Sequence, residues 1–471
     1  MAQAESAHPG EIKLGRALGL GGGIALVVGS IIGMGIFALL APIAANSGNA
    51  LWLAFIIAMI ISAIGVIPII QAASAIPRAG IGYLLTSRLT TPLWGSIISL
   101  WAVVGGAATA CFICIGFAGN IAAYWSWGID KDLEIKLLSI IIPVAFMSLY
   151  LFKLQIASWV QIIMVVLKVI ALGVFAGVGI FVIKNPIQLS VIPPHGVTGM
   201  VMAIVLCYSA CMGFQVIAEM GEEIKNPKRN IPLSMIIGGL IVLVIYILVG
   251  AVFMSSVPYD FDTLMKMKSP LIDSANTFLP PAWVGFIAFG ALFAAVTALN
   301  AGAMALPREL LSQARDNLLP SSIGKVSGRT LTPVRAVGVY FILVVLLLLL
   351  QFTGIDIDFY GVMAAVGILL MTIVGAFAVI NLPKKYPEEY KKAYIRIPRP
   401  WLIVFAILTA VTSLPFIAGV IISYHNATLM CCLLIGLTAL FIIYYLLRVR
   451  WLKKQGVDWT ERTKKITGFG E

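Results

Sequence analysis

A single lysine, Lys168, stands deep inside a long apolar stretch of the sequence. It lies eleven residues after Ala157, where that stretch begins, which is about 16 Å along a helix at 1.5 Å per residue. A charge near the centre of a bilayer costs at least about 2.5–3.5 kcal/mol on insertion scales, so such residues are candidates for function. A lysine near a helix end can extend to the membrane surface, but Lys168 is too deep for that. We therefore expect Lys168 to be functional, with reversible protonation as its chemistry.

Two segments rich in small residues could supply free backbone groups as ligands. Segment 29–37 holds three glycines in seven residues, although each glycine costs a helix up to about 1 kcal/mol relative to alanine. Segment 209–215 combines small and polar residues, SACMGFQ. Small residues four apart also permit close helix packing, but we favour unwound segments that face a cavity. Free N–H groups at such breaks would bind anions, and free carbonyls would bind cations.

Three glutamates follow the second segment. Glu222 and Glu223 stand beside Lys225, Lys228 and Arg229, and a salt bridge in a gate or loop is the favoured interpretation. Glu219 lies about one turn deeper, where burial of a charge is costly. It could face an inner vestibule and pair with a cationic substrate or with a basic residue.

Cysteines and cofactor motifs offer little further chemistry. All six cysteines lie in apolar runs, where thiols usually behave as small hydrophobic groups. The pairs Cys111/Cys114 and Cys207/Cys211 each share a helix face, but no histidine or carboxylate stands nearby to complete a metal site. The sequence holds no phosphate-binding loop and no catalytic constellation, so we expect neither a cofactor nor an enzyme.

The composition shows which medium surrounds these residues. Of 471 residues, 61% are hydrophobic and only 11% are charged, and the mean hydropathy is +1.03. Soluble domains have about 45–50% apolar and about 25% charged residues. Soluble enzymes, nucleic-acid-binding proteins and disordered proteins are therefore excluded, and the composition predicts an integral membrane protein.

Twelve apolar runs are long enough to cross a bilayer as helices, which takes about 20 residues. They are 17–45, 49–76, 93–127, 135–152, 157–184, 197–224, 232–257, 281–313, 333–352, 359–382, 401–424 and 427–449. The two small-residue segments fall in the first and the sixth run. Interruptions five spans apart are typical of inverted-repeat transporters that bind their substrate near the membrane midplane.

The basic residues predict the orientation. With the N-terminus inside, 26 of the 32 Lys and Arg residues fall in cytoplasmic segments, and only Lys131, Lys136, Lys184, Lys266 and Lys268 fall outside. Cytoplasmic loops carry an excess of Lys and Arg. Both termini are therefore expected in the cytoplasm, and the net charge of +12 reflects this bias.

Four motifs in order resemble the amino acid–polyamine–organocation (APC) superfamily over most of the chain. GSIIGMGIF at 29–37 is similar to the family's G-S-x-I-G-S-G-I-F, and PRAGIGY at 77–83 to P-R-S-G-G-x-Y. EEIKNPKRNIP at 222–232 is similar to E-E-x-K-N-P-x-R-x-I-P. Asn300, Arg308 and ARDNLLP at 314–320 resemble the pattern N…R…A-R-D-G-x-L-P.

The resemblance implies an all-α integral membrane fold with 12 transmembrane helices. Ten form a 5+5 inverted repeat with broken helices 1 and 6, and two are peripheral. The implied parts are a cytoplasmic N-terminal tail (1–16), a transport core (17–382), a basic linker (383–400), helices 11 and 12 (401–449) and a cytoplasmic C-terminal tail (450–471).

The resemblance also implies a substrate site at the two breaks. Its residues are Ser30, Gly33, Met34 and Gly35 in helix 1, and Ser209, Ala210, Cys211 and Gly213 in helix 6. Phe214, Gln215 and Glu219 would form a gate or vestibule. Lys168 resembles the helix-5 lysine of sodium-independent members, where the ammonium replaces sodium. The matching contacts are Gly29 and Thr297.

Departures from the family pattern bear on the substrate. Met34 stands where many members have a serine that helps to hold the substrate carboxylate, and Ser209 stands where many have an aromatic gate. Gln71 and Gln215 replace residues that are commonly acidic or polar. Backbone donors could still hold a carboxylate, and the small residues at the second break leave room for a bulkier or more apolar substrate.

The sequence thus predicts a secondary active transporter in the plasma membrane. It would carry a small amino acid or a related amine by alternating access, independently of sodium and coupled to H+. Two alternatives stay open: an amino acid or polyamine exchanger, and a transport-inactive nutrient sensor with the same fold. The expected partners are the small-molecule substrate, H+ and the lipid bilayer, without nucleic acid, and the chain is expected to be a monomer or a weak oligomer.

Overall fold

The computed structural model describes residues 14–124, 127–149, 154–183, 189–267, 269–456, 459 and 463. Most of the two predicted tails lies outside the described residues. Seven basic residues used for the orientation are therefore not described: Lys13, Lys153, Lys184, Lys268, Arg462, Lys464 and Lys465. The described residues form nineteen α-helices and no β-strand.

The helices have the following bounds in chain order. The first ten are α1 (Leu20–Ile31), α2 (Met34–Ser47), α3 (Leu51–Ala75), α4 (Ile81–Leu89), α5 (Pro92–Tyr124), α6 (Lys131–Leu149), α7 (Leu154–Val182), α8 (Gly196–Ala210), α9 (Pro227–Ser256) and α10 (Phe261–Lys266). The other nine are α11 (Pro270–Ala275), α12 (Pro281–Ala305), α13 (Pro307–Arg315), α14 (Val334–Leu349), α15 (Ile357–Val379), α16 (Leu382–Lys385), α17 (Pro387–Lys391), α18 (Arg399–Ser423) and α19 (Ala427–Lys454).

Ten helical segments among the described residues are long and apolar enough to cross a membrane. Gly35–Ala75 counts as one of them, although a 3-10 turn at Gly48–Ala50 separates α2 from α3. The apolar helix α1 has only 12 residues, which is too short to cross by itself. The predicted all-α membrane class is confirmed, while the number of twelve crossings stays a prediction.

Local sequence signals explain where several helices begin. The side chains of Asp260, Asp356 and Asn426 each accept a hydrogen bond from the backbone N–H three residues later, at the starts of α10, α15 and α19. Such caps satisfy N–H groups that have no partner within the helix. Proline opens α9, α12 and α13, where its fixed φ suits the first turn and its missing N–H is not needed.

Two predicted spans differ from the observed helices. The run 197–224 holds a helix only as far as Ala210, and no α-helix resumes before Pro227. Between them lie one 3-10 turn and two residues with positive φ, Gly213 at +125° and Asn226 at +46°. The run 281–313 is divided into α12 and α13 at Leu306, directly before Pro307. The predicted linker 383–400 contains the short helices α16 and α17.

The packing brings the interrupted helices to the centre. α1 packs against α7, α9 and α12, while α2 packs against α8. α5 packs along α15, and α3 packs along α9. Their interfaces form one continuous apolar core, so the breaks beside α1 and α8 are enclosed by complete helices.

Candidate functional site

The two helix interruptions lie against each other. α1 ends at Ile31 and α2 starts at Met34, with Gly33 extended between them. Across the gap, the Ser30 hydroxyl donates a hydrogen bond to the carbonyl of Gly213, with Oγ and O 3.0 Å apart. This bond joins positions 183 residues apart in the chain and brings the two small-residue segments together.

Gly213 must be a glycine at this contact. Its φ of +125° lies in a region that L side chains rarely adopt. A Cβ atom there would also lie 2.6 Å from Oγ of Ser30 and 3.0 Å from its backbone oxygen. Gly35 is similarly close to its neighbour, because a Cβ atom at Gly35 would lie 3.1 Å from Cα of Ala210. The glycines therefore allow the two breaks to touch through their backbones.

Two hydroxyl groups bind the carbonyls that the breaks leave open. The Tyr246 hydroxyl on α9 lies 3.3 Å from the oxygen of Ile31 and 3.1 Å from that of Ala210, so it bridges the ends of α1 and α8. Ser62 on α3 donates to the carbonyl of Cys211 at 3.1 Å. The sequence analysis missed both residues. The only signal for them is a polar group inside an apolar run.

A cavity of about 1300 Å³ lies beside the breaks. Among the described residues, no side chain caps the N-terminus of α2, whose first N–H groups are free for an anion. The predicted site residues in the cavity wall are Ser30, Gly33, Gly35, Ser209, Ala210, Gly213, Gln215 and Glu219. Most of the remaining wall is apolar.

Two predicted site residues, Cys211 and Phe214, have other surroundings, and the side chain of a third is not described. Cys211 is fully buried and offers its carbonyl to Ser62. Phe214 is buried and packs towards α9, where a Cβ atom at Gly239 would lie 2.6 Å from its ring. Met34 begins α2, and its side chain lies outside the described part of the chain. The predicted roles of these residues stay predictions.

Lys168 connects the end of α1 to α12 through hydrogen bonds. Its ammonium donates to the carbonyl of Gly29 at 3.1 Å, to the hydroxyl of Thr297 at 2.7 Å and to the carbonyl of Ile32. The Thr297 hydroxyl in turn donates to the carbonyl of Ala294 at 3.1 Å, which leaves its oxygen free to accept. The structure thus brings together Lys168, Gly29 and Thr297, although a role in ion coupling stays a prediction.

The number of donors matches the number of acceptors at this lysine. An ammonium group has three N–H donors, and Lys168 has three oxygen partners while being fully buried. The two carbonyls belong to the last turn of α1 and its C-cap, where helices leave carbonyls without intrahelical partners. The positive charge therefore occupies the negative end of the α1 dipole.

Comparison with known proteins identifies the class of this chain. The profile described as amino acid permease matches residues 18–439. The chain belongs to the amino acid permease family. It is a transporter of the APC superfamily and not an enzyme, and its family supports amino acid transport across a membrane.

Several relatives of this permease carry functional names. It is 26% identical to the branched-chain amino acid permease BcaP of Bacillus subtilis, over 81% of this chain and 84% of the relative. Identity to cationic amino acid transporter 4 of Mus musculus is 27%, over 76% of this chain and 58% of the relative. It is also 26% identical to the methylthioribose transporter of Bacillus subtilis, over 79% and 82% of the two chains.

Beyond Glu219, two ion pairs join the segment after α8 to α13. Glu223 binds Arg308 at 2.8 Å with both side chains fully buried, and Glu222 binds Arg315 at 3.0 Å with partial exposure. The predicted salt-bridge role of Glu222 and Glu223 is therefore confirmed. Their partners lie on α13, whereas the sequence analysis had noted only the adjacent basic residues 225–229. These partners could not be predicted from the sequence, because only the fold brings α13 close to the segment after α8.

A third pair joins α4 to the end of α13. Arg88 forms an ion pair with Asp316, and Tyr83 donates its hydroxyl to the same carboxylate at 2.8 Å. Burial lowers the pKa of Arg88, but the hydrogen bond and charge of Asp316 outweigh it, so the pKa lies above its ordinary value. Arg88 therefore stays charged, and this end of the permease is held by three arginine–carboxylate pairs.

Proposed function

We propose that this permease is a secondary active transporter of a small amino acid or a related amine. It works by alternating access in the plasma membrane, without sodium and with H+ as the coupling ion. The proposed architecture has twelve helices, ten of them in a 5+5 inverted repeat, and both termini in the cytoplasm. The observation that carries the proposal is the Lys168 ammonium, which binds Gly29, Ile32 and Thr297 beside the first break.

The breaks suit the two charged ends of an amino acid. The uncapped N-terminus of α2 presents N–H groups and a positive dipole end to the cavity, which favours the substrate carboxylate. The carbonyls near the end of α8 favour the amino group, because each carbonyl retains a second lone pair beside its bond to Ser62 or Tyr246. The largely apolar wall supports an apolar side chain, which agrees with the branched-chain permease among the relatives.

Lys168 can couple a proton to the conformation of the first break. A charged lysine satisfies three oxygens at once, whereas a neutral amine has only two N–H donors. Loss of the proton would thus leave an oxygen at the end of α1 or on Thr297 without its donor. An unsatisfied buried polar group costs about 1–3 kcal/mol, which is enough to shift an equilibrium between two conformations by about 5- to 150-fold.

Uptake into proteoliposomes tests the proposal. We would offer labelled amino acids and amines without sodium, with and without an inward proton gradient, to the wild type, Lys168→Ala and the exposed-lysine control Lys391→Ala. We expect the gradient to stimulate uptake by the wild type and the control, and the stimulation to fall at least tenfold in Lys168→Ala. Exchange of labelled for unlabelled substrate without a gradient reports whether the variant is folded. A Lys168→Ala protein with full gradient-driven uptake would refute the role of Lys168.

A second candidate function is exchange of amino acids or polyamines. Glu219 favours it, because this acidic residue belongs to the cavity wall and a negative charge there would attract a cationic substrate. Lys168 disfavours a polycation bound nearby, since like charges repel. The same experiment separates the two functions. Uptake that ignores the gradient but rises when the liposomes are preloaded with substrate would identify an exchanger, and Lys168 would then be a structural substitute for sodium.

A further inference from the structure

The ion-paired region beyond Glu219, where α4, α13 and the segment after α8 meet, is called the closure. It contains more carboxylates than arginines. Arg88, Arg308 and Arg315 are each bound to a carboxylate of their own. The carboxylates so used are Asp316, Glu223 and Glu222. Two further carboxylates of this region, Glu219 and Glu309, are 2% and 0% exposed, and neither forms an ion pair with a described residue.

Glu219 and Glu309 come from different elements and face the same glycine. Glu219 follows the second break, and Glu309 lies in the first turn of α13. A Cβ atom at Gly82 of α4 would lie 3.4 Å from Oε1 of Glu219 and 2.8 Å from Oε1 of Glu309. Both Oε1 atoms thus lie beside the same glycine, which places the carboxyl group of Glu309 next to that of Glu219.

The carboxyl groups of Glu219 and Glu309 differ in the hydrogen bonds that they accept. The Tyr83 N–H lies 3.1 Å from each oxygen of Glu309, and the Ser99 hydroxyl donates to the same carboxylate. Gln313 donates to Ser99 at 2.7 Å and so fixes the direction of that hydroxyl. Glu309 is therefore in a site suited to a negative charge.

Glu219 lacks comparable donors. The N–H groups of Ile81 and Gly82 lie near it, yet neither oxygen of Glu219 accepts a hydrogen bond from any described residue. Its backbone carbonyl is occupied, because it accepts the N–H of Gly80 at 3.0 Å. A buried carboxylate without donors or a cation is strongly disfavoured, whereas a protonated carboxyl can donate to the oxygen of its neighbour.

We propose that Glu219 and Glu309 share one proton, with Glu219 as the acid, and that this proton holds closed the end of the cavity beneath them. The O–H of Glu219 donates to the carboxylate of Glu309, so the pair carries a single negative charge. The bond links the segment after α8 to α13, beside the ion pair of Glu223 with Arg308. The role in transport rests on the proposed function, while the existence of the proton site does not.

Gain and loss of the proton follow from the position of Glu219. Glu219 belongs to the cavity wall, but both of its carboxylate oxygens are buried, so proton exchange with cavity water requires a movement of this side chain. When the closure loosens, the proton passes to water on the other side and no other bond changes. The two remaining carboxylates then repel each other and keep that end open. Return of a proton closes it again.

Infrared difference spectroscopy tests the proton site itself. The full-length protein in lipid is compared at neutral and alkaline pH, and the wild type is expected to show the C=O band of a protonated carboxylic acid. Glu219→Gln should lose this band, and Glu309→Gln should shift it, because the acceptor changes from carboxylate to amide. The control Glu222→Gln removes a carboxylate of the neighbouring ion pair and should leave the band unchanged. A wild type without the band, or a Glu219→Gln variant that retains it, would overturn the proposal.

Uptake tests the role of the shared proton. Glu219→Gln resembles the protonated acid permanently, so gradient-driven uptake is expected to fall at least tenfold. Glu219→Asp keeps an acid and should recover part of the activity, whereas a purely structural role predicts no such rescue. If the wild type shows no proton-driven uptake, the proposed function fails and the infrared result still decides the proton site. If the wild type is proton-driven and Glu219→Gln transports normally, only the present inference fails.

Discussion

Single residues at the two breaks determine whether the backbone can serve as a ligand. The sequence predicts the glycine at 213 as part of a break, because small residues in a membrane span weaken the helix. It does not predict Tyr246, which lies 36 residues from Ala210 and binds it only because α9 packs against α1. Candidate ligands on the backbone can thus be found from residue types. The side chains that orient them depend on packing.

Replacement of Gly213 by alanine should disable the site. The φ of +125° is unfavourable for alanine, and the new Cβ would lie 2.6 Å from Oγ of Ser30. Strain of this kind costs about 1–3 kcal/mol. We expect Gly213→Ala to lower the temperature of thermal unfolding and to reduce substrate uptake at least tenfold.

Gly173→Ala is the matched control for this variant. Gly173 lies on α7, where an added Cβ would have no neighbour within 4 Å, and alanine is a better helix former than glycine. The control should unfold at the wild-type temperature or above it. A Gly213→Ala protein that unfolds and transports like the control would show that the contact with Ser30 is unimportant.

At the scale of elements, long apolar helices are predictable and short ones are not. Apolar runs identify spans because a bilayer requires about 20 such residues. α4 and α13 have nine residues each and carry charged side chains. α4 lies outside every apolar run, and most of α13 falls within the run 281–313, where the sequence does not show it as a separate helix. Yet these two helices supply Arg88, Arg308 and Glu309 to the closure beneath the cavity. That part of the site could not be predicted because it is built by contacts between distant short helices.

The buried pair Arg308–Glu223 should stabilise the closure more than Arg315–Glu222 does. Loss of one partner of a fully buried pair leaves an unpaired charge without access to water and costs about 3–5 kcal/mol, and the cost falls as water reaches the remaining charge. The side chains of Arg308 and Glu223 are both 0% exposed, against 9% and 16% for Arg315 and Glu222. We expect Arg308→Gln to lower the unfolding temperature much more than Arg315→Gln.

The neutral double variant separates charge from shape in this comparison. Arg308→Gln with Glu223→Gln removes both charges, so it should recover part of the stability that Arg308→Gln loses. Thermal unfolding of the purified proteins in detergent compares these three variants with the wild type. Equal losses for Arg308→Gln and Arg315→Gln would contradict the difference in burial as the cause.

For the whole molecule, hydropathy alone predicts the class, because 61% hydrophobic residues leave too little polar surface for water. The cavity could not be predicted in this way, since its volume depends on how α1, α8 and α12 diverge around the breaks. The distribution of Lys and Arg along the chain bears on a property that contacts do not show, namely the orientation in the membrane. It predicts on which side of the membrane each end of the cavity lies.

The distribution of Lys and Arg predicts that the closure with Arg308 and Arg315 faces the cytoplasm. Of the 32 basic residues, 26 fall in the segments that the sequence assigns to that side, and such a bias sets orientation during insertion. Cysteines introduced singly at Lys131, the first residue of α6, and at Ser321, after α13, test it. The exposed Cys432 and its neighbour Cys431 are first replaced by serine. An impermeant thiol reagent added to intact cells should label Lys131→Cys at once and Ser321→Cys only after permeabilisation. The reverse order would place the Glu219–Glu309 pair at the outer surface, and the proton would then be released outwards.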